Sequence, residues 1–172
     1  QKESDFVVPV ASGEEAYVAA YPEGETPEES SPAALRSDLS LASVNSQYTI
    51  LVVDDIQINV EVMSEFLRAQ GYNVEESFGG REALQKIRKR RPDLMLLDLM
   101  MPQVSGEDVL REIRNDKNLQ DLPVIIVTAR ASQEDRLFGL GLGADDYLAK
   151  PIISQEMLLR VKAILTRLAL NQ

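Results

Sequence analysis

The sequence of 172 residues contains neither cysteine nor histidine. The lack of cysteine excludes disulfide bonds, thiol catalysis and cysteine-ligated metal sites, and it suits a protein of the cytosol. The lack of histidine removes the commonest general base, a common zinc ligand and the nitrogen nucleophile that carries phosphorus. Any imidazole chemistry must therefore be supplied by a partner.

Positive charge and long apolar runs are scarce as well. The chain carries 18 basic and 28 acidic side chains, which gives a net charge of −10. This excess of negative charge argues against direct binding to nucleic acid or to an anionic membrane, because both require a basic surface. No apolar stretch approaches the roughly 20 residues that cross a bilayer, and no signal peptide pattern opens the chain. We therefore expect no direct contact with nucleic acid or membrane.

The first 47 residues differ in composition from the rest of the chain. They hold four of the eight prolines and nine acidic residues against two basic ones, a composition typical of linkers. We predict an acidic, Pro/Ser-rich linker or remnant of a preceding domain over residues 1–47, and one domain over residues 48–172. Within the linker, Phe6–Val10 is predicted as a strand and Ala33–Ala42 as a short helix. Because the chain opens on Gln1 and not on Met, we interpret it as a piece of a longer protein.

From Tyr48 onward, strand and helix signals alternate. Short runs rich in β-branched residues suit buried parallel strands, and the predicted strands are Thr49–Val53, Tyr72–Glu76, Asp93–Leu97, Leu122–Val127 and Asp145–Ala149. Right-handed crossovers place five such strand–helix units in one parallel sheet with helices on both faces. The predicted fold class is therefore α/β, a doubly wound five-stranded parallel sheet with five helices.

Apolar residues at helical spacing predict the five helices and their buried faces. The second and third helices cover Arg81–Arg91 and the stretch around Val109 to Ile113, and the fifth runs from Ser154 to Leu170. The inward residues of the first helix are predicted as Ile58, Val62, Phe66 and Leu67, and those of the glycine-weakened fourth helix as Leu137, Leu140 and Leu142.

Four of the predicted strands end on residues that can handle a phosphoryl group. Asp54 and Asp55 follow the first strand, Asp98 the third, Thr128 the fourth and Lys150 the fifth. Ligands of open α/β sheets bind beyond the carboxyl ends of the strands, so these side chains should converge. Crowded carboxylates repel one another unless a hard cation such as Mg²⁺ lies between them. With a fixed ammonium and a hydroxyl nearby, phosphoryl transfer to a carboxylate needs little more.

These residues and their order resemble the receiver domain of two-component response regulators. The resemblance covers Tyr48 to about Leu170, and successive intervals of 43, 30 and 22 residues separate Asp55, Asp98, Thr128 and Lys150. The surrounding sequence matches as well, in Ile50–Asp55, in Asp98–Pro102 with Gly106, and in Gly143–Pro151. Taken singly, Asp98 is also explained as a turn residue, Thr128 as a helix cap and Lys150 as a solvated lysine, but the four spaced elements together favour the family.

The resemblance implies a role for each of these side chains. Asp98 would be the phosphoacceptor, and Thr128 and Lys150 would contact the phosphoryl group. Tyr147 would be the aromatic switch residue, which turns inward as the threonine moves. The implied ligands of Mg²⁺ are Asp54, Asp55, Asp98 and the backbone carbonyl of Met100.

The resemblance also implies a fold and a set of partners. The fold would be the flavodoxin-like receiver fold with strand order 2-1-3-4-5 and a cis Lys150-Pro151 bond. The phosphoryl group would come from a histidine kinase or a histidine phosphotransfer domain, in the cytoplasm or on the cytoplasmic side of a membrane-anchored parent kinase. Output would pass through the face of the fourth helix, fifth strand and fifth helix, and the domain would catalyse only its own phosphorylation and slow dephosphorylation.

Two arrangements of the parent protein stay open. Phe6–Val10 would be the remnant of a kinase ATP-binding domain if the chain is the C-terminal receiver of a hybrid histidine kinase. Alternatively, Asp135–Tyr147 is similar to receivers of winged-helix transcription factors, which dimerise through the output face. Residues that would form ion pairs across such a homodimer are Arg136, Asp145, Asp146, Arg160 and Lys162.

Two other functions compete with signalling. An aspartate-nucleophile phosphatase on a related fold requires a second carboxylate two residues after the nucleophile, where this chain has Met100. A flavodoxin-like cofactor binder requires a Ser/Thr/Gly-rich phosphate loop after the first strand, which the sequence lacks. Among the neighbouring polar residues, Asn59 is predicted to face solvent, and Asp145 and Asp146 are predicted to begin a strand rather than to bind metal.

Overall fold

A computed structural model describes residues 6–10, 16–20 and 40–171 of the protein. In chain order the strands are β1 (Phe6–Val10), β2 (Ala16–Ala20), β3 (Thr49–Val53), β4 (Asn73–Ser77), β5 (Leu94–Leu97), β6 (Val124–Thr128), β7 (Asp146–Ala149) and β8 (Ile152–Ile153). The helices are α1 (residues 40–45), α2 (Gln57–Ala69), α3 (Gly80–Lys89), α4 (Gly106–Asn115), α5 (Gln133–Gly141) and α6 (Ser154–Leu170). None of these described helices combines the length and the apolar character that crossing a bilayer requires.

Strands β3 to β7 form one parallel sheet in the order β4-β3-β5-β6-β7. Counted from Thr49, this is the predicted order 2-1-3-4-5. Val53 lies opposite Leu97 across the β3–β5 ladder, so the residues that follow these two strands reach the same edge of the sheet. Neighbouring strands are about 4.8 Å apart, which makes this edge narrow enough for side chains from several strands to meet.

The two faces of the sheet bury separate apolar cores. Alternate residues of a strand point to opposite faces, so Val53 and Leu97 pack with α3 and α4, whereas Val52 and Leu96 pack with α2 and α6. Because both faces are covered, the central strands are apolar throughout. This arrangement confirms the predicted doubly wound fold, and α6 has the predicted bounds.

Two predicted helix faces were only partly correct, although Leu142 at the end of the fourth predicted helix packs against the core as expected. In α5, Leu137 is 64% exposed and Leu140 is 43% exposed, while the buried residue is Gly139. The helix lies so close to the sheet that only a hydrogen atom fits at the contact, and its leucines are turned outward. In α2, Leu67 is buried and Phe66 packs against the core as predicted, whereas Ile58 and Val62 are only partly buried. The buried face is shifted in phase from the predicted one, and it also contains Asn59, Val60, Met63 and Ser64.

The described segments before Tyr48 contact the rest of the protein. β1 pairs antiparallel with β2, which confirms the predicted strand at Phe6–Val10. β2 in turn pairs parallel with β8, with Val18 opposite Ile152. The structure has helix over residues 40–45, and residues 33–39 of the predicted Ala33–Ala42 helix lie outside the described residues.

The end of the predicted linker is attached to the C-terminal end of α2. The Asn45 amide Nδ2 donates a hydrogen bond to the carbonyl of Gln70 at 2.7 Å, and the Asn73 amide Nδ2 donates to the carbonyl of Ser46 at 2.5 Å. Gly71 has φ +92°, and a Cβ there would lie 2.6 Å from Cα of Ala42. The segment around Ala42 and Asn45 therefore packs directly against the turn that follows α2.

Candidate functional site

Three carboxylates meet at the carboxyl edge of the sheet. Asp54 follows β3 and is fully buried, Asp98 follows β5 and is 4% exposed, and Asp55 lies nearer the surface. One oxygen of each lies within 4.8 Å of the others, an arrangement that can hold a metal ion. The convergence predicted from the strand ends is therefore present in the structure.

Lys150, which follows β7, joins two of these carboxylates. Its ammonium Nζ donates to Oδ2 of Asp54 at 2.7 Å and to Oδ2 of Asp98 at 3.1 Å. Burial by itself would lower the pKa of Lys150, but the attraction of Asp98 and Asp54 outweighs it and raises that pKa. The lysine therefore stays charged at neutral pH, and its peptide bond to Pro151 is cis, as expected.

One ammonium is not enough to balance this site. Burial raises the pKa of Asp98, and the charge of Asp54 adds to that rise while Lys150 opposes it. Burial also raises the pKa of Asp55, again with a contribution from Asp54. Three carboxylates against one ammonium leave an excess of negative charge, and oxygen ligands of this kind are those that Mg²⁺ prefers. The donor set therefore fits a hard divalent cation.

A tight loop after β5 fixes the carboxylate of Asp98. The backbone N–H of Met100 donates to Oδ1 of Asp98 at 3.1 Å, and the N–H of Gly106 donates to the carbonyl of Leu99 at 3.0 Å. A Cβ on Gly106 would lie 2.1 Å from the carbonyl oxygen of Asp98. The glycine therefore lets the start of α4 approach the end of β5, and this approach holds the loop in place.

Asn59 belongs to the site, contrary to the prediction that it faces solvent. It is buried on α2, and its amide Nδ2 donates to Oδ2 of Asp54 at 3.3 Å. The N–H of Ile56 donates to Oδ1 of the same carboxylate at 2.9 Å. The sequence did contain a signal, because Asn59 lies one helical turn before Met63, which is buried on α2. The predicted buried face of this helix was shifted in phase, so Asn59 was assigned to the solvent side.

Thr128 and Tyr147 lie on the neighbouring strands β6 and β7. Thr128 is buried at the end of β6, and its Oγ1 accepts a hydrogen bond from the N–H of Arg130 at 3.5 Å. Tyr147 is 2% exposed, and its hydroxyl donates to the carbonyl of Arg130. The Arg136 guanidinium lies 5.9 Å from the centre of the ring, and burial raises the pKa of Tyr147 to about 12. The ring therefore points inward.

Several charged residues near β7 are paired within the chain. Arg160 contacts the carboxylate of Asp146 at 3.0 Å, and Asp145 contacts Arg114 at 3.2 Å and Arg167 at 3.5 Å. Asp145 also accepts a hydrogen bond from the N–H of Val124. Asp146 begins β7, which confirms the prediction of a polar strand start.

Comparisons with known proteins agree with this geometry. The family model for the response regulator receiver domain matches residues 50–162. The probable transcriptional regulatory protein TcrX of Mycobacterium tuberculosis is 42% identical over 119 residues, which are 69% of this chain and 50% of that protein. The response regulator MprA of Mycolicibacterium vanbaalenii is 46% identical over 118 residues, again 69% of this chain and 50% of the relative. The chain thus spans about half the length of the curated relatives it matches.

A solved structure shows the same similarity in three dimensions. A putative response regulator from Chloroflexus aurantiacus superposes with a TM-score of 0.67 at 37% sequence identity, and the match covers 69% of this chain and 98% of that one. The family model, which matches residues 50–162, includes the three carboxylates of the cluster and Lys150.

Proposed function

The chain belongs to the response regulator receiver domain family, whose members are phosphoacceptor signalling domains, and we propose that here Asp98 is the residue that accepts the phosphoryl group. The observation that supports this assignment most directly is the bridge from Lys150 to Asp98 and Asp54. Of the two carboxylates that Lys150 contacts, Asp54 is fully buried and also accepts hydrogen bonds from α2 and the residue before it, so Asp98 is the more accessible one.

The transfer step requires an external donor. A carboxylate oxygen of Asp98 forms a bond to phosphorus while the bond from phosphorus to the donor's imidazole nitrogen breaks, and the imidazole then takes up a proton. The donor would be a histidine kinase or a histidine phosphotransfer domain, because this chain has no histidine of its own. We place this exchange in the cytoplasm.

The side chains of the site would offset the charge that arrives with the phosphoryl group. Lys150 supplies a positive charge next to Asp98, and the hydroxyl of Thr128 would donate to a phosphoryl oxygen. Such positioned charges provide most of the catalysis in phosphoryl transfer. The site would hold Mg²⁺ through Asp54, Asp55, Asp98 and the backbone carbonyl of Met100, and the bound ion would neutralise phosphoryl oxygens.

The output would leave through α5, β7 and α6, the fourth helix, fifth strand and fifth helix of the predicted units. Thr128 and Tyr147 would link this face to Asp98, because they lie on the neighbouring strands β6 and β7, with Tyr147 opposite Ile126, two residues before Thr128. A histidine kinase would supply the signal, and one output would be the formation of a homodimer through this face after phosphorylation. Asp145, Asp146 and Arg160 would have to exchange their present partners to form ion pairs in such a dimer.

We further propose that the receiver domain occupies residues 48–172 and that residues 1–47 precede it as a linker or as the remnant of another domain. The pairing of β2 with β8 and the contact of Asn45 with Gln70 support a linker that contacts the receiver at two places, residues 16–20 and 40–46.

Acetyl phosphate tests the proposed function directly. In the presence of Mg²⁺, we expect intact-mass measurement to show one phosphoryl adduct on the protein and none when EDTA has removed the metal. The adduct should disappear with hydroxylamine, which cleaves acyl phosphates. A protein that takes up no phosphoryl group would contradict the proposal, and a protein that instead turns over a phosphate ester rapidly would favour the phosphatase alternative, which no observation so far supports.

The lifetime of the acyl phosphate gives a second expected result. Met100 is half-exposed beside Asp98, and Arg130 is held by Asp135 at 3.2 Å and by Glu107 at 3.6 Å. A thioether cannot hold an attacking water by hydrogen bonds, so hydrolysis in the wild type should be slow. Met100→Asn should speed the loss of label roughly threefold to tenfold, because its amide can orient water.

The control for this experiment is Leu159→Asn, an equally polar change at an exposed position of α6. It should leave the rate of label loss unchanged. Equal rates in the wild type and in Met100→Asn would show that the side chain at position 100 does not control the approach of water.

A further inference from the structure

Helix α5 contacts the sheet through a glycine. Gly139 is the buried residue among the nine that form α5, all of which the structure describes. A Cβ placed on Gly139 would lie 2.8 Å from Cε2 and 3.0 Å from Cδ2 of Tyr147, and 2.9 Å from Cδ1 of Ile126. Carbon atoms do not approach so closely without displacement, because packed interiors have no spare volume. The inward ring of Tyr147 therefore occupies space that any side chain at position 139 would take.

The two neighbours differ in how they can yield. Cδ1 of Ile126 is the end of a flexible side chain and can move by rotation of one torsion. The ring of Tyr147 is rigid, and it is held on its other sides by the hydroxyl contact to Arg130 and by the guanidinium of Arg136. A methyl group at position 139 would therefore displace the ring as a whole, by rotation about χ1 toward the surface.

We propose that Gly139 is a positioning residue for the switch: the absence of a side chain there is what allows Tyr147 to take its inward position. This inference rests on the proposed switch role of Tyr147. If the phosphorylated state requires the inward ring, a Cβ at position 139 lowers the fraction of protein able to adopt that state. The apparent affinity for a phosphoryl group or its mimic then falls by the same fraction.

The chain offers a matched control in the same helix. Gly141 also lies in α5, and a Cβ placed there would meet no atom within 4 Å. Gly139→Ala and Gly141→Ala make the same chemical change in one helix and have the same effect on the unfolded chain, although Gly141, as the last residue of α5, gains less helix propensity. A difference in the position of the Tyr147 ring between the two variants therefore reports the contact at position 139.

Two measurements separate the variants. In protein labelled with 3-fluorotyrosine, with the Tyr147 resonance assigned by Tyr147→Phe, Gly139→Ala should move that resonance to the position of an exposed ring. Titration with beryllofluoride and Mg²⁺ should show an affinity roughly tenfold below that of the wild type. Gly141→Ala should retain the wild-type resonance and affinity.

The inference is overturned if the Tyr147 resonance of Gly139→Ala stays where it is in the wild type, or if Gly141→Ala shows equal changes. The fluorine measurement needs no phosphoryl donor, so it decides the inference even if the wild type fails to bind beryllofluoride, which would refute the proposed function alone. If Gly139→Ala does not fold, the double variant with Tyr147→Ala is compared with Tyr147→Ala alone: equal stability of the two supports the steric contact, and a double variant that is less stable than Tyr147→Ala refutes it.

Discussion

Replacing Asp98 by Asn is expected to reduce labelling by acetyl phosphate to background, a loss of at least roughly a hundredfold. The amide is nearly isosteric with the carboxylate and can still accept the hydrogen bond from the N–H of Met100. It is not a nucleophile toward phosphorus, and it gives no charge to Lys150 or to a metal ion. The loss should therefore reflect chemistry and not a change of fold.

The stability of Asp98→Asn checks this interpretation. A carboxyl group whose pKa is raised by folding contributes stability at low pH and loses it as pH rises through the folded pKa, because the native state then holds an unfavourable charge. Asp98 is such a group. In Mg²⁺-free buffer at neutral pH the variant should unfold at the same urea concentration as the wild type or at a higher one.

Asp121→Asn is the control, since this exposed carboxylate lies outside the acidic cluster. It should be labelled as the wild type is, on a peptide that contains Asp98. An adduct of unchanged size on Asp98→Asn would place the phosphoryl group elsewhere and would end the assignment of this residue.

Replacing Lys150 by Met should cost about 3 to 5 kcal/mol of the free energy of unfolding in Mg²⁺-free buffer. The lysine side chain is buried, and its ammonium is the cation within hydrogen-bond distance of both Asp54 and Asp98. Methionine has a similar length but leaves two buried carboxylates facing each other without compensation. An uncompensated buried charge is among the most destabilising changes that a single substitution can make.

Two further measurements identify the cause of that loss. Adding Mg²⁺ should restore part of the stability, because the cation replaces the missing positive charge, and so should the double variant with Asp98→Asn, because it removes one of the opposed carboxylates. Lys162→Met, at an exposed position on α6, should have little effect. A loss that is the same with and without Mg²⁺ and in the double variant would show that Lys150 acts through packing and not through charge.

The strands and the edge they form could be predicted because a parallel sheet leaves a strong signal in the sequence. Strands buried on both faces must be apolar along their whole length, so polar residues such as Asp54, Asp98 and Lys150 mark the points where the strands end. The crossover rule then brings these ends together without any knowledge of side-chain positions. The cluster of carboxylates was predictable for the same reason.

The orientation of the helices was harder to predict, because apolar periodicity assumes that a helix touches the core through large side chains. Helix α5 touches it through Gly139, and its leucines at positions 137 and 140 are exposed. In α2, buried polar residues take positions that a hydrophobic pattern assigns to solvent, and Asn59 was misassigned for that reason. In both helices the contact depends on what lies across the interface, which no local pattern contains.

The strand pairing between β2 and β8 affects how the domain should be truncated for expression. A fragment beginning at Tyr48 would leave the Gln70 carbonyl and the Asn73 amide without the groups at positions 45 and 46 that they now contact. It would also uncover Ile152, two residues after Lys150, as an unpaired strand edge open to pairing with other molecules. Boundaries placed upstream of Phe6 should yield the more soluble material for binding and relay assays.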